Sequence, residues 1–445
     1  MEDNSWRQKS LKYSLYDTVF LSVFIGLTAN FFAPFALKLN ASNFDISMLT
    51  VLPVVFSAMI QLLSPVTMDR YPQRARYIGI TVYMQGVFLM MALITPVLSK
   101  LKISYAINIF IVFIVLSTMS ASLSGPVWLS LMSETVQKKE YGKYFAWRSK
   151  ISTIISLFVS FIAGFALDLF KGFRGFMLIF FIAGICRIIS GFFVSKMTEV
   201  PFTIKEEDRF SYFDFIRRLP ESNYAKFTMY LALMNFTVVF AGPFFAVYML
   251  KELHFSYFTY NMVILSAALS TLLSLAFWGL YADKIGSIKI IKICSIFISV
   301  LPALWLLSSN PIYLCVINFL GGYVWAGFSL AAGNFTLHAV RESKRVRAIS
   351  YNSLTVGIFV FIGGITGGLL LPYMPHVKGS QILAIITLSA ILRLFVYLLF
   401  SKSFSEVQEK VEPMEDRDFI MSVLWVKPVV DSVNSFANEY IFRKK

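Results

Sequence analysis

Apolar segments long enough to cross a bilayer recur twelve times along this chain, separated by short polar breaks. They cover residues 15–37, 47–68, 77–98, 103–131, 149–169, 174–195, 226–250, 257–281, 288–308, 311–337, 349–373 and 381–401. A helix needs about 20 apolar residues to span the hydrocarbon layer. Within that layer every backbone N–H and C=O needs a partner inside the protein, and a helix supplies all of them from one segment. A membrane barrel would instead show short alternating strands, and these runs do not alternate. The expected fold is therefore all-α, a membrane protein with twelve transmembrane helices. Of the 445 residues only 15% are charged and 57% are hydrophobic. A soluble domain carries about 25% charged residues, so a soluble fold is excluded. The residues through Tyr16 are polar, and the apolar stretch that follows has no small-residue cleavage site, so it reads as an uncleaved first span.

The distribution of charge sets the orientation. Lys and Arg collect in cytoplasmic loops. With the N-terminus inside, 31 of the 40 basic residues fall on the cytoplasmic side and 7 on the other, while Arg187 and Arg393 lie within spans. A missed span would have scrambled this alternation. The sequence thus predicts a cytoplasmic-membrane protein with both termini in the cytoplasm, its principal partner being the lipid bilayer. The formal charge of +15 is accounted for by topology, and no nucleic acid is expected as a partner.

The longest interior loop halves the chain. The division expected is a six-helix bundle over 1–195, a cytoplasmic loop over 196–224, a second six-helix bundle over 225–402 and a cytoplasmic tail over 403–445. Charged residues Glu206 to Arg218 interleave with Phe210, Tyr212, Phe213, Phe215 and Ile216. That pattern suits an amphipathic helix on the membrane surface. The tail beyond Pro428 reads either as a second surface helix or as a solvated segment.

The halves echo one another. Arg187 is followed after seven residues by Ser195-Lys196, and Arg393 likewise by Ser401-Lys402. Ala33-Pro34-Phe35 in span 1 matches Gly242-Pro243-Phe244 in span 7, and Met68-Asp69-Arg70 after span 2 matches Ala282-Asp283-Lys284 after span 8. Six plus six spans, a long central loop and an Asp-basic turn after spans 2 and 8 resemble the major facilitator superfamily. That family's loop signature is well kept in Gly279-Leu280-Tyr281-Ala282-Asp283-Lys284-Ile285-Gly286. It is degenerate in the first half, where Pro65 and Pro72 replace the glycines. The resemblance implies two bundles rocking about a central site, with Asp69, Arg70 and Arg74 in one half and Asp283 and Lys284 in the other as a conformational latch. The alternative at Asp69 is a purely local ion pair.

Charged groups within spans are costly and default to function. Those present are Asp17, about one turn into span 1, Asp168 at the outer end of span 5, and Arg187 and Arg393. Each arginine either snorkels to the headgroups or, in the case of Arg187, meets Asp17 across the bundle. No carboxylate sits at mid-span and span 4 has no arginine; the resemblance implies such groups in proton-coupled members, so proton antiport is disfavoured.

The resemblance puts a cavity among spans 1, 4, 7 and 10. Those spans offer Asn30, Ser124, Trp128, Asn235, Asn318, Trp325 and Ser329 as candidate substrate contacts, suited to a neutral or amphipathic organic solute; close helix packing is the alternative use of the small polar residues. Gly363-Gly364 and Gly367-Gly368 in span 11 read as close helix contacts and a hinge. The three histidines and three cysteines have no metal-ligand spacing, and no glycine loop for nucleotide phosphates occurs. The expected protein is a monomeric secondary transporter of a small organic solute, with no enzymatic activity, cofactor or metal. The alternative is a non-transporting receptor or sensor that keeps the fold.

Overall fold

A computed structural model describes residues 5–61, 73–137, 140–199, 216–217, 222–340 and 342–407; the side chains of residues 5, 141–143, 276, 280, 283, 284 and 342–347 are outside the description. Twelve helices among these residues are long and apolar enough to cross a membrane. They are Trp6–Lys38, Asn43–Gln61, Arg74–Lys100, Ala106–Thr135, Tyr144–Leu169, Phe173–Ser195, Asn223–Glu252, Tyr257–Leu275, Ser287–Leu306, Pro311–Ala339, Ala348–Tyr373 and Gln381–Phe400, and are called spans 1–12 below. The sequence count holds. The first and fifth helices begin earlier than their apolar stretches, so the basic residues Arg7, Lys9, Lys12, Arg148 and Lys150 ride on helices. The expected surface helix is described only at Ile216 and Arg217, which are helical. The tail segment beyond Pro428 lies outside the described residues.

The breaks have local causes. Side chains at the starts of spans accept the otherwise orphaned N–H groups of the first turn: Ser222 from Ala225, Ser256 from Thr259, Asn310 from Ile312, and Ser380 from Leu383. Spans 1 and 7 are both interrupted, between Thr28 and Phe32 and between Ala241 and Phe244, beside the matched prolines Pro34 and Pro243. Inside spans, hydroxyls return their hydrogen bonds to the preceding turn, as in Thr18 to Ser14, Ser22 to Thr18 and Thr28 to Phe24. This satisfies a buried hydroxyl without a tertiary partner.

Spans 1–6 pack chiefly on one another, as do spans 7–12; across the two groups span 2 lies along span 11 and span 5 along span 8. Span 11 makes its approach through glycine. Gly363 and Gly367 face the backbone of span 7 at Phe236 and Phe240, and Gly364 and Gly368 face span 2 at Val51 and Phe44. A methyl group at Gly367 would collide with the Phe240 carbonyl oxygen. The Ser47 hydroxyl donates to the Gly364 carbonyl at 2.6 Å, fixing span 2 to span 11.

The hydrophobic core is joined at one end and divided at the other. One cluster draws on both halves, from Phe31, Phe35 and Phe110 to Phe244, Trp305 and Ile386. Toward the end that carries the described termini, a second cluster holds only second-half residues, around Tyr230, Trp278 and Phe335. A third holds only first-half residues, around Ile78, Val127 and Leu131.

Candidate functional site: a sealed end, two arginines and the cavities between

At the end away from the termini, polar side chains stitch the halves together. The Asn30 amide donates to the Ser160 hydroxyl at 3.2 Å and to the Asn261 carbonyl oxygen at 3.1 Å, so spans 1, 5 and 8 meet at one point. Asn261 donates back to the Ser160 carbonyl at 2.6 Å. The Tyr260 hydroxyl donates to the Asn30 carbonyl at 3.1 Å. One turn further out, the Asp168 carboxylate accepts the N–H groups of Tyr257 (2.9 Å) and Phe258 (3.0 Å), capping span 8 from the end of span 5. Negative charge is favoured at a helix N-terminus. Lys251 donates to the Ala41 carbonyl at 3.2 Å.

Within the first bundle, Asp17 is the hub of a buried cluster. Arg148 of span 5 pairs with it at 3.0 Å, and the Ser190 hydroxyl donates to its other oxygen at 2.6 Å. Arg187 lies 3.9 Å from Asp17 and donates to Gln85 at 2.5 Å and Ser190 at 2.8 Å. Arg187 is 6% exposed, so the inward of its two sequence readings is the one observed. The Arg148 guanidinium stacks over the Trp128 ring at 4.2 Å, a cation–π contact. Asp17, Trp128, Arg148, Arg187 and Ser124 line a cavity of about 230 Å³. The Trp128 indole therefore sits in the charge cluster.

Arg74 has partners the sequence did not suggest. It is buried and pairs with Glu134 at 2.8 Å and Glu199 at 2.9 Å, both in the first half. Of the other latch residues, Asp69 and Arg70 lie outside the described residues. Asp283 and Lys284 occupy the last turn of the helix Tyr257–Ile285.

The seven candidate substrate contacts do not converge. Asn30 belongs to the sealed end, and Ser124 and Trp128 to the charge cluster. Asn235 lines an open cavity of about 640 Å³ between spans 2, 4, 7 and 11, with Ser57, Gln61, Asn352 and Ser353. Asn318 and Trp325 line a separate cavity of about 640 Å³, with Thr50, Tyr260, Trp305 and Arg393. Ser329 is exposed and lines none of these. Sequence reading passed over Gln85, Glu134, Arg148, Glu199 and Asn261. Asp17 was the one signal, since a buried carboxylate requires donors around it.

Two six-helix groups sealed at one end and parted at the other define a polytopic membrane protein of the major facilitator fold. Residues 227–436, in the second half of the chain, match the family model described as Major Facilitator Superfamily. No curated protein matches the chain. Among solved structures, it resembles a mutant of the nucleoside transporter NupG at a TM-score of 0.71 and 13% identity, over 89% of this chain and 100% of that one. It resembles a D-xylose-proton symporter at 0.67 and 12%, over 91% and 98%. A bacterial homologue of the iron transporter ferroportin matches at 0.64 and 15% in its inward-facing state, over 90% and 100%. A bacterial homologue of the iron transporter ferroportin in an outward-facing state matches at 0.57 and 16%, over 89% and 99%.

Proposed function

We propose that this protein is a secondary transporter that carries a small organic solute across the cytoplasmic membrane by alternating access, captured here open to the cytoplasm. The divided core supports this most directly: the halves share one apolar cluster at the end away from the termini and have separate clusters at the other. The 31-to-7 bias of basic residues supports a cytoplasmic location for the termini, and with them the parted end. The higher TM-score against a ferroportin homologue in its inward-facing state than against one in its outward-facing state agrees. The seal between Asn30, Ser160 and Asn261 is a few hydrogen bonds, each about 1 kcal/mol. A balance between two states of that size is one a bound solute can tip.

Site-directed labelling tests the reading. In a background with Cys186, Cys294 and Cys315 replaced by alanine, cysteines at Ser57 and Ser353 in the open cavity are expected to react with a membrane-impermeant thiol reagent in inside-out vesicles only. A cysteine at Lys171 is expected to react in intact cells only. Reaction of Ser57→Cys from the cell exterior and Lys171→Cys from the interior would reverse the orientation. Inertness of both cavity positions from either face would remove the open pathway.

A further inference from the structure

The two arginines of spans 6 and 12 occupy the same place in their bundles. Arg187 reaches Gln85 on span 3, and Arg393 donates to the Ile298 carbonyl on span 9 at 3.1 Å. Gln85 lies ten residues beyond Ala75, and Ile298 ten residues beyond Ile288; Ala75 and Ile288 are the second residues of the helices that open spans 3 and 9. The repeat that brought the arginines to notice therefore extends to what they touch.

Their surroundings differ in charge. Arg187 has the Asp17 carboxylate and the Ser190 hydroxyl. Three residues beyond Arg393, where the first half has Ser190, stands Val396. Arg393 is 5% exposed, its Nε has no partner, and its hydrogen bond to Ile298 is to a neutral group. Among the described residues no carboxylate lies within 4.0 Å of it. A buried guanidinium without a counter-charge is strongly unfavourable. Loss of an acid from the protein side is tolerable where the negative charge arrives from elsewhere.

There is room for it. Arg393 and Ile298 line the cavity of about 640 Å³ that also holds Asn318, Trp325, Trp305 and Phe245. Its volume far exceeds that of an inorganic ion, and indole and phenyl rings suit an apolar body. A guanidinium matches a carboxylate with two parallel N–H···O bonds.

We propose that this cavity binds an organic carboxylate with an apolar body, and that Arg393 is the counter-ion of its carboxylate. The proposal names the solute class of the transport reading above and rests on it. It is tested without transport, so the two can fail separately: a silent carboxylate leaves the vesicle labelling pattern intact, and a reversed labelling pattern leaves binding intact.

The measurement is intrinsic tryptophan fluorescence of the full-length protein in lipid nanodiscs, since Trp305 and Trp325 line the cavity. The probes are acetate, hexanoate, phenylacetate and phenylbutyrate, with uncharged phenylbutyramide and chloride as controls. Saturable quenching by phenylbutyrate is expected, with phenylbutyramide at least about tenfold weaker. Arg393→Gln should abolish that preference, and Arg393→Lys should keep part of it. Gly321→Leu fills the same cavity, and a Cβ there meets only the Leu301 side chain, at 3.9 Å. It should abolish binding of both compounds without lowering the unfolding temperature, and it stands in if the Arg393 variants do not fold. Absence of saturable binding across the carboxylate series would overturn the proposal. So would equal affinity for the amide, a preference that survives in Arg393→Gln, undiminished binding in Gly321→Leu, or displacement of the probe by chloride at equal concentration.

Discussion

Glu199 and Glu406 do the same work in the two halves of the molecule. The Glu199 carboxylate accepts the N–H of Ala75 at 3.0 Å, and that of Glu406 accepts the N–H of Ile288 at 2.8 Å. Each thus caps the helix that opens the third span of its bundle from the chain that follows the sixth. The neighbouring contacts repeat as well: the Thr198 N–H donates to the Ser10 hydroxyl and the Ser405 N–H to the Asn223 side chain, both at 3.0 Å. Met197 and Phe404, just before them, are both buried. An acceptor at a helix start is worth about 1 kcal/mol, and a carboxylate adds its attraction to the helix dipole. Glu406→Ala is expected to lower unfolding stability by about that amount, and Glu406→Gln by less. Thermal unfolding in detergent measures both, and an unchanged Ala variant would remove the capping role.

Close approach through glycine gives a second contrast. Gly367 lies against the Phe240 carbonyl oxygen, whereas a Cβ at Gly333 meets nothing within 4 Å. Gly367→Ala should force spans 7 and 11 apart at a cost of about 1–3 kcal/mol. Gly333→Ala, on an open helix face, should stabilise the protein by up to about 1 kcal/mol. Unfolding temperatures that move the same way in both variants would contradict the packing account.

Much of this architecture was legible in the residues. Twelve apolar runs are a one-dimensional signal, and their count survives among the described residues. The paired Pro34 and Pro243, read as part of a repeat, lie beside breaks in spans 1 and 7 that the apolar runs did not show, and the paired arginines marked a true structural repeat. The site was legible only in fragments. Asp17 announced a need for partners, and Arg187 was one that the sequence offered; Arg148 and Ser190 reach it from spans 5 and 6, and Gln85 reaches Arg187 from span 3, at separations no periodicity reveals. Asn30 and Asn318 look alike in sequence, yet one closes the seal against Asn261 and the other donates to its own helix at Leu314. Ser124 likewise returns its hydroxyl to Ala121. A polar residue satisfied within its helix and one waiting for a solute have the same letter code, so the seven candidate contacts scattered over separate places.

Alternating access is most directly tested by watching both ends of the molecule at once. Spin labels at Tyr105 and Ser309 report the sealed end, and labels at Ser133 and His338 the parted end; all four positions are exposed and lie at or beside the ends of spans 4 and 10. Asn261→Ala removes the amide that holds spans 1, 5 and 8 together, which requires no solute to be known. Pulsed electron paramagnetic resonance should then show the Tyr105–Ser309 distances lengthening while the Ser133–His338 distances shorten, as two coupled populations. A lengthened Tyr105–Ser309 distance with the Ser133–His338 distribution unmoved would contradict the rocking of one bundle against the other.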